Sequence, residues 1–260
     1  MTYQNVIHNK ATRLFVFLGA FFVANALIAE FIGVKIFSLE NTLGITPLNI
    51  SLFGIENLSF NLTAGVLLWP FVFVLTDIIN EYFGMKGVRM LSYIAAALIS
   101  YAFIMFYFGI KIIPADFWIS SKSSEGITDM NKAFSVVFGQ GLWIIVGSLL
   151  AFLVGQLIDV TVFHWVKKNT GEKFIWLRAT GSTLVSQFID SFVVLFIAFY
   201  VGAGWSLKLV LAIGIMNYIY KFSMAILMTP VIYGVHYIID KYLGDELSAK
   251  IRTEAMKNSI

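Results

Sequence analysis

The chain contains no cysteine, which excludes disulfides, thiolate metal sites and thiol catalysis. Charge is also scarce, with 18 basic and 15 acidic side chains among 260 residues, or 13%. A soluble enzyme, a disordered chain and a nucleic-acid binder all need a more polar or more strongly charged exterior than this, so all three are set aside. Histidine occurs only as His8, His164 and His236, far apart and without a His-Glu-x-x-His pair, so no metal site is expected. His164 and His236 fall near the ends of apolar stretches, where solvated imidazoles are expected. What the chain has instead is 59% hydrophobic residues and a mean hydropathy of +0.84, more apolar surface than a soluble fold of this size could bury. It reads as a polytopic membrane protein.

A helix crosses about 30 Å of hydrocarbon with about 20 apolar residues. Six stretches qualify, over 13–35, 62–82, 88–112, 134–163, 177–202 and 207–239. They are continuous apolar runs without a period of two, which argues for helices over a β-barrel. The first is too long for a signal peptide, and no small-residue cleavage site follows it, so no cleavable leader is expected. The last is longer than a bilayer requires, and a kink at Pro230 is expected within it.

Short loops rich in Lys and Arg stay cytoplasmic. Lys10 and Arg13 precede the first stretch, and Lys86 and Arg89 follow the second. Lys167, Lys168, Lys173 and Arg178 follow the fourth, and Lys241, Lys250, Arg252 and Lys257 follow the sixth. This puts 12 of the 18 basic residues on one side. Lys35, Lys111, Lys122, Lys132 and Lys208 fall on the other, and Lys221 lies inside the sixth stretch. The expected fold is therefore an all-α membrane protein, one domain over residues 1–260 built as a bundle of six transmembrane helices. Both termini are expected to be cytoplasmic, with a tail over 240–260.

Two segments on the opposite side have character of their own. Residues 37–61 carry Leu43, Ile45, Leu48, Ile50 and Leu52 in partial alternation, broken by Gly44, Pro47 and Gly54, which predicts a short hairpin or re-entrant lip. Residues 114–132 hold a polar, mobile run over 120–126, followed by an amphipathic helix over 128–138.

The informative residues are the charges that membrane burial disfavours. An ion at mid-bilayer costs about 2.5 to 3.5 kcal/mol on insertion scales, so Asp77, Asp159, Asp190 and Lys221 need a reason. Glu30 and Lys35 flank the end of the first stretch, where long side chains reach water. Each intramembrane ion has polar company at helical spacing. Asp77 has Asn80 and Glu81, Asp159 has Gln156, Asp190 has Thr183 and Gln187, and Lys221 has Asn217. The element Gln-x-x-Asp occurs twice, at 156–159 and 187–190, through either a repeated hairpin or local convergence. A carboxylate accepts two parallel N–H bonds and a neighbouring amide donates and accepts, which together match the edge of a purine-like base. Lys221 can donate to a carbonyl. The competing reading is interhelical glue, with Asp190 paired to Lys221 and each Gln bonded to a backbone carbonyl.

The run Trp69-Pro70 through Thr76-Asp77-Ile78-Ile79-Asn80-Glu81-Tyr82-Phe83-Gly84, the segment Arg178 through Gln187-Phe188-Ile189-Asp190-Ser191, and Lys221 followed by Pro230 resemble the queuosine precursor transporters, also known as vitamin uptake transporters. The likeness spans all six stretches. Asn80 and Tyr82 sit where the family varies. The resemblance implies import of 7-cyano-7-deazaguanine and 7-aminomethyl-7-deazaguanine across a bacterial cytoplasmic (inner) membrane, to supply the queuosine of tRNA. Its partners would be this small molecule and membrane lipid, with no cofactor, and a homo-oligomer is left open. A deazaguanine presents N1–H and a 2-amino group to one carboxylate and a carbonyl to Lys221 or a Gln, so the candidate substrate-binding set is Asp77, Asn80, Glu81, Gln156, Asp159, Thr183, Gln187, Asp190, Asn217 and Lys221. The aminomethyl compound is a cation that a second acid would favour, and one acid is free to carry a coupling proton or to neutralise Lys221.

No Gly-x-x-x-x-Gly-Lys-Ser/Thr loop occurs, so the chain does not hydrolyse ATP itself. It is either a facilitator or proton-linked carrier, or the substrate-binding subunit of an energy-coupling-factor-type importer with a separate ATPase. The small-x-x-x-small pair Ala20 and Ala24 offers the second reading a docking surface. An intramembrane aspartyl protease needs Tyr-Asp and Gly-x-Gly-Asp, whereas Asp159 and Asp190 both follow Ile, so no catalytic role is expected.

Overall fold

A computed structural model describes residues 9–171 and 174–257 of the chain. His8 and Lys173 lie outside the described residues. Helix α1 is Lys10–Ile32, capped by Asn9, whose side chain accepts from the amides of Ala11 and Thr12. Strand β1 (Ile36–Ser38) and the one-turn helix α2 (Leu39–Thr42) follow. Strands β2 (Ile50–Leu52), β3 (Ile55–Leu58) and β4 (Asn61–Thr63) lead into α3, Trp69–Lys111. The short α4 (Asp116–Ile119) and amphipathic α5 (Met130–Phe138) precede α6, Leu142–Thr170. Then come α7 (Ile175–Leu195), a π-helical turn Phe196–Val201, α8 (Leu207–Leu243) and α9 (Asp245–Lys257). Five helical stretches are long and apolar enough to cross a membrane.

The expected second and third spans are joined in α3, 43 residues interrupted only at Gly84, whose φ of 71° and ψ of 179° are not helical. The run doubles back there. Phe83 packs edge-on to Phe15 near the start of α1 with ring centroids 4.9 Å apart, whereas Phe103 and Phe106 pack on Phe31 at its other end, at 6.5 and 5.0 Å. Gly65, just ahead of α3, also meets that other end, so closely that a Cβ on it would lie 2.4 Å from the Ala29 carbonyl oxygen. Both arms of α3 thus run along α1 in opposite directions. The loop expected at 83–87 shrinks to a single residue because glycine alone tolerates this backbone conformation at little cost. Gly84→Ala is expected to lose about 1 to 3 kcal/mol, seen as a lower thermal midpoint in detergent.

The two arms bury stripes at helical spacing, Val72, Ile79 and Tyr82 on one and Val88, Leu91, Ala95 and Ile99 on the other, against Leu18, Phe22 and Ala26 of α1. The lipid-facing sides carry exposed Phe17, Phe21, Tyr101 and Ile104. Residues 62–68, expected to open the second helix, lie ahead of α3 instead: β4 pairs antiparallel with β1, Phe37 opposite Leu62, and Ala64–Leu67 form a 3₁₀ turn. Inside that ribbon β2 pairs with β3, so the predicted hairpin is present, doubled. Buried Glu40 closes it by accepting from the Phe60 amide at 2.8 Å. The expected fourth span begins later and ends later than read, as α6 over Leu142–Thr170. The stretch 134–163 divides at 139–141, between α5 and α6, where Gln140 lies between two glycines and its side chain donates to the Glu30 carbonyl. The expected mobile run at 120–126 contains a 3₁₀ turn, Ser123–Glu125. Pro230 lies inside α8, where its ring removes the hydrogen bond to the Ile226 carbonyl.

The helix ends assort into two faces. The start of α1, the Gly84 turn, the end of α6, the start of α7 and the end of α8 lie on one face, where α9 packs against α3 and α8. Lys10 there donates to the Tyr242 carbonyl at 3.0 Å. The hairpins, α4, α5 and the turn before α8 lie on the other.

Candidate functional site

Helix α7 turns its polar side inward. Ser182, Thr183, Ser186, Gln187 and Ser191 are buried at steps of three and four, an arrangement that lipid exposure would penalise. Against this stripe a narrow cleft opens between α3, α7 and α8. Asp77, Thr180, Thr183, Gln187 and Lys221 supply its polar lining, and Trp69, Phe73, Met224 and Met228 stand among its apolar walls. Thr183 Oγ1 lies 3.4 Å from Asp77 Oδ2 and donates to it, whereas Asp77 Oδ1 and Gln187 Nε2 are buried with no hydrogen-bond partner among the described residues.

A second, wider space adjoins the cleft toward the hairpin face. Asp190, Ser191, Asn217 and Glu30 line it, and it shares Trp69, Val66 and Lys221 with the cleft. Lys221 Nζ donates to Asp190 Oδ2, so this ion pair stands at the division between cleft and vestibule. The pair is not sealed, since the Lys221 and Asp190 side chains keep 13% and 17% of their exposure.

Other polar residues stand behind the cleft rather than in it. Thr76 donates to Gln156 Oε1 at 2.9 Å, and Ser186 to Asp159 Oδ1 at 3.1 Å. Asp159 is wholly buried and lines neither space, although Asp159 Oδ2 and Gln156 Nε2 lack partners among the described residues. Glu81 Oε1 takes both Lys167 Nζ at 3.0 Å and Arg178 Nη2 at 2.9 Å, all three side chains 1% exposed or less. Asn80 Oδ1 lies 2.7 Å from His164 Nε2. The ten candidates therefore sort into layers. Asp77, Thr183, Gln187 and Lys221 face the cleft, Asp190 and Asn217 the vestibule, and Asn80, Glu81, Gln156 and Asp159 the packed interior. The two Gln-x-x-Asp elements lie on neighbouring helices, packed closely enough that a Cβ on Gly155 would lie 3.5 Å from Asp190 Cβ.

Several expectations drawn from position along the chain are corrected. His164 and His236 are not solvated, being 9% and 5% exposed; His236 Nδ1 lies 3.1 Å from the Tyr82 hydroxyl. Lys167 and Arg178, counted among loop cations, are buried around Glu81. Glu30 does not reach open water at a helix end, since it is 7% exposed with Oε2 accepting from Ser148 at 3.0 Å. Gln156 bonds a hydroxyl where a backbone carbonyl was expected. Each helix end bears on a neighbour, and a sequence read one helix at a time carries no signal for that. At the basic face, Asp240 accepts from Tyr82, Ser248 and Arg252 at 2.7, 2.6 and 2.6 Å, tying α9 to α3 and α8.

The sequence profile of a family described as "Putative vitamin uptake transporter" matches residues 63–235, which hold the cleft, the ion pair and the buried triad. The chain belongs to this family. A "Probable queuosine precursor transporter" of Bacillus subtilis (strain 168) is 29% identical over 191 residues, 71% of this chain and 76% of the relative. A protein of the same description from Haemophilus influenzae is 27% identical over 205 residues, 75% of each chain. The "Queuosine precursor transporter" of Escherichia coli (strain K12) is 28% identical over 187 residues, 68% of this chain and 74% of that one. No solved structure matches. This member of the vitamin uptake transporter family is a multi-pass protein of the bacterial cytoplasmic (inner) membrane.

Proposed function

We propose that the chain imports queuosine precursors, the 7-deazaguanines carrying a cyano or aminomethyl group at position 7, by facilitated or proton-linked transport and without catalysis. The observation that carries this is the cleft. Its polar lining is one carboxylate with an unengaged oxygen, one amide, one ammonium and the Thr180 and Thr183 hydroxyls, beside the aromatic faces of Trp69 and Phe73. Asp77 can accept N1–H and the 2-amino group, Gln187 or Lys221 can donate to the carbonyl, and Trp69 offers a face for stacking. Asn80, Glu81, Gln156 and Asp159 would hold these groups in place. Asp190 and Asn217 would meet the base as it passes from the vestibule.

The same reading takes the chain across the membrane six times with both termini inside. Its support is the doubling back of α3, which turns five helical stretches into six crossings, and the meeting of α1 with α8 at the basic face. Single cysteines are convenient in this cysteine-free chain. An impermeant thiol reagent added outside is expected to label cysteines at Ser123 and Asn57 but not at Asn169 or Lys250. External labelling at Asn169 would reverse the orientation.

Uptake of labelled deazaguanine into proteoliposomes holding this chain alone tests the function. Accumulation without an ATPase supports a self-sufficient carrier. Uptake that appears only once a separate ATPase is added would assign the chain to the energy-coupling-factor class.

A further inference from the structure

The vestibule holds polar capacity that nothing in the chain uses. Glu30 Oε2 is taken by Ser148, but no hydrogen bond or ion pair engages Glu30 Oε1 among the described residues. Ser191, 1% exposed, points a hydroxyl with no partner among the described residues into the same wall. Asn217 lines the space opposite, and its side-chain amide makes no hydrogen bond among the described residues. Lys221 and Asp190 neutralise one another at the floor, so the formal charge left over in the vestibule is that of Glu30. Neutral acceptors and one uncompensated carboxylate suit a donor that is itself positive. A primary ammonium, with three N–H groups, fits this set.

We propose that Glu30, with Ser191 and Asn217, forms a docking site for the ammonium group of a substrate, separate from the base-binding cleft, and that this site makes the chain favour amine-bearing over neutral forms of its substrate. The inference rests on the function proposed above. Ser148 has a positioning role, holding Oε2 so that Oε1 stays turned to the vestibule. An ammonium at Glu30 leaves the planar ring to descend past Trp69, which belongs to both spaces, toward Asp77.

The test uses the full-length protein in proteoliposomes, with the aminomethyl and cyano compounds compared side by side. Glu30→Gln is expected to raise the KM for the amine about tenfold or more while changing that for the nitrile less than about twofold, since the lost contact is to a charged group. Glu30→Asp should recover part of the preference. Equal losses for both compounds would make Glu30 structural and overturn the proposal, as would no loss for either. A second measurement does not need transport. With a cysteine placed at Ile144 in the vestibule wall, a cationic methanethiosulfonate should react about tenfold faster than an anionic one, and Glu30→Gln should remove that preference. An unchanged ratio refutes the site. If the wild-type protein takes up neither compound, the proposed function fails, and the labelling ratio still decides the cation site.

Discussion

Glu81→Gln is expected to cost about 3 to 5 kcal/mol of stability, the range for removing one partner from a buried ion pair. The substitution keeps shape and removes the charge to which Lys167 and Arg178 both turn, with side chains 1% and 0% exposed. The desolvation of these cations is offset by attraction to Glu81, and a neutral amide returns little of it. Arg178 keeps its bond to the Gly171 carbonyl at 2.9 Å, which still ties the end of α6 to α7. The readouts are membrane abundance and thermal midpoint in detergent, both falling. Adding Lys167→Met lowers the stranded charge and should recover part of the loss, a coupling between touching residues that independent sites would not show. If Glu81→Gln keeps its abundance and midpoint but loses uptake, Glu81 contacts substrate and does not serve as the anchor of three helices.

That the triad was not evident from the sequence has a physical reason. Lys167 and Arg178 stand beside helix ends, where a charge count assigns cations to the cytoplasm, and both do lie at the basic face. Burial is decided by which neighbour covers them, and Glu81 is 86 residues from Lys167 along the chain. The same holds for His164 against Asn80 and His236 against Tyr82. Residues in the middle of an apolar stretch were readable because the surrounding lipid leaves an ion no alternative to the interior. Asp77, Gln187, Asp190 and Lys221 are found around two adjoining spaces, whereas Asp159, singled out on the same ground, is buried in the packed interior and lines neither. The hairpin was legible from alternation and glycines, whereas the reversal at Gly84 was not, because a single positive φ inside a helical sequence leaves no compositional mark. The break between α5 and α6 was written in the pair Gly139 and Gly141, but apolar residues on both sides concealed it.

Asp190→Asn is expected to reduce uptake by at least tenfold with near-normal abundance in the membrane. The ion pair of Asp190 with Lys221 admits both a binding role and a packing role, and its surroundings separate them. A pair that served as interhelical glue would be sealed, as Glu81 is, but this one stands between two open spaces and keeps 13% and 17% of its exposure. Water in those spaces can solvate Lys221 when its partner is neutralised, so the stability cost should be well below that of Glu81→Gln. Transport has no such substitute. On the proposed function, a base moving from vestibule to cleft would pass Lys221 and Asp190, and an amide at 190 would present N–H donors toward the ammonium and toward the N–H edge of the base, where acceptors are needed. Losing a charged acceptor costs a few kcal/mol of affinity, enough for the tenfold loss or more. The double change Asp190→Asn with Lys221→Met removes both charges. On the binding reading it stays folded and inactive, because Lys221 is itself needed for the substrate carbonyl. Full uptake by Asp190→Asn protein, or lost folding that Lys221→Met rescues together with uptake, would instead make the pair a packing device and leave Asp77 as the acid that meets the base.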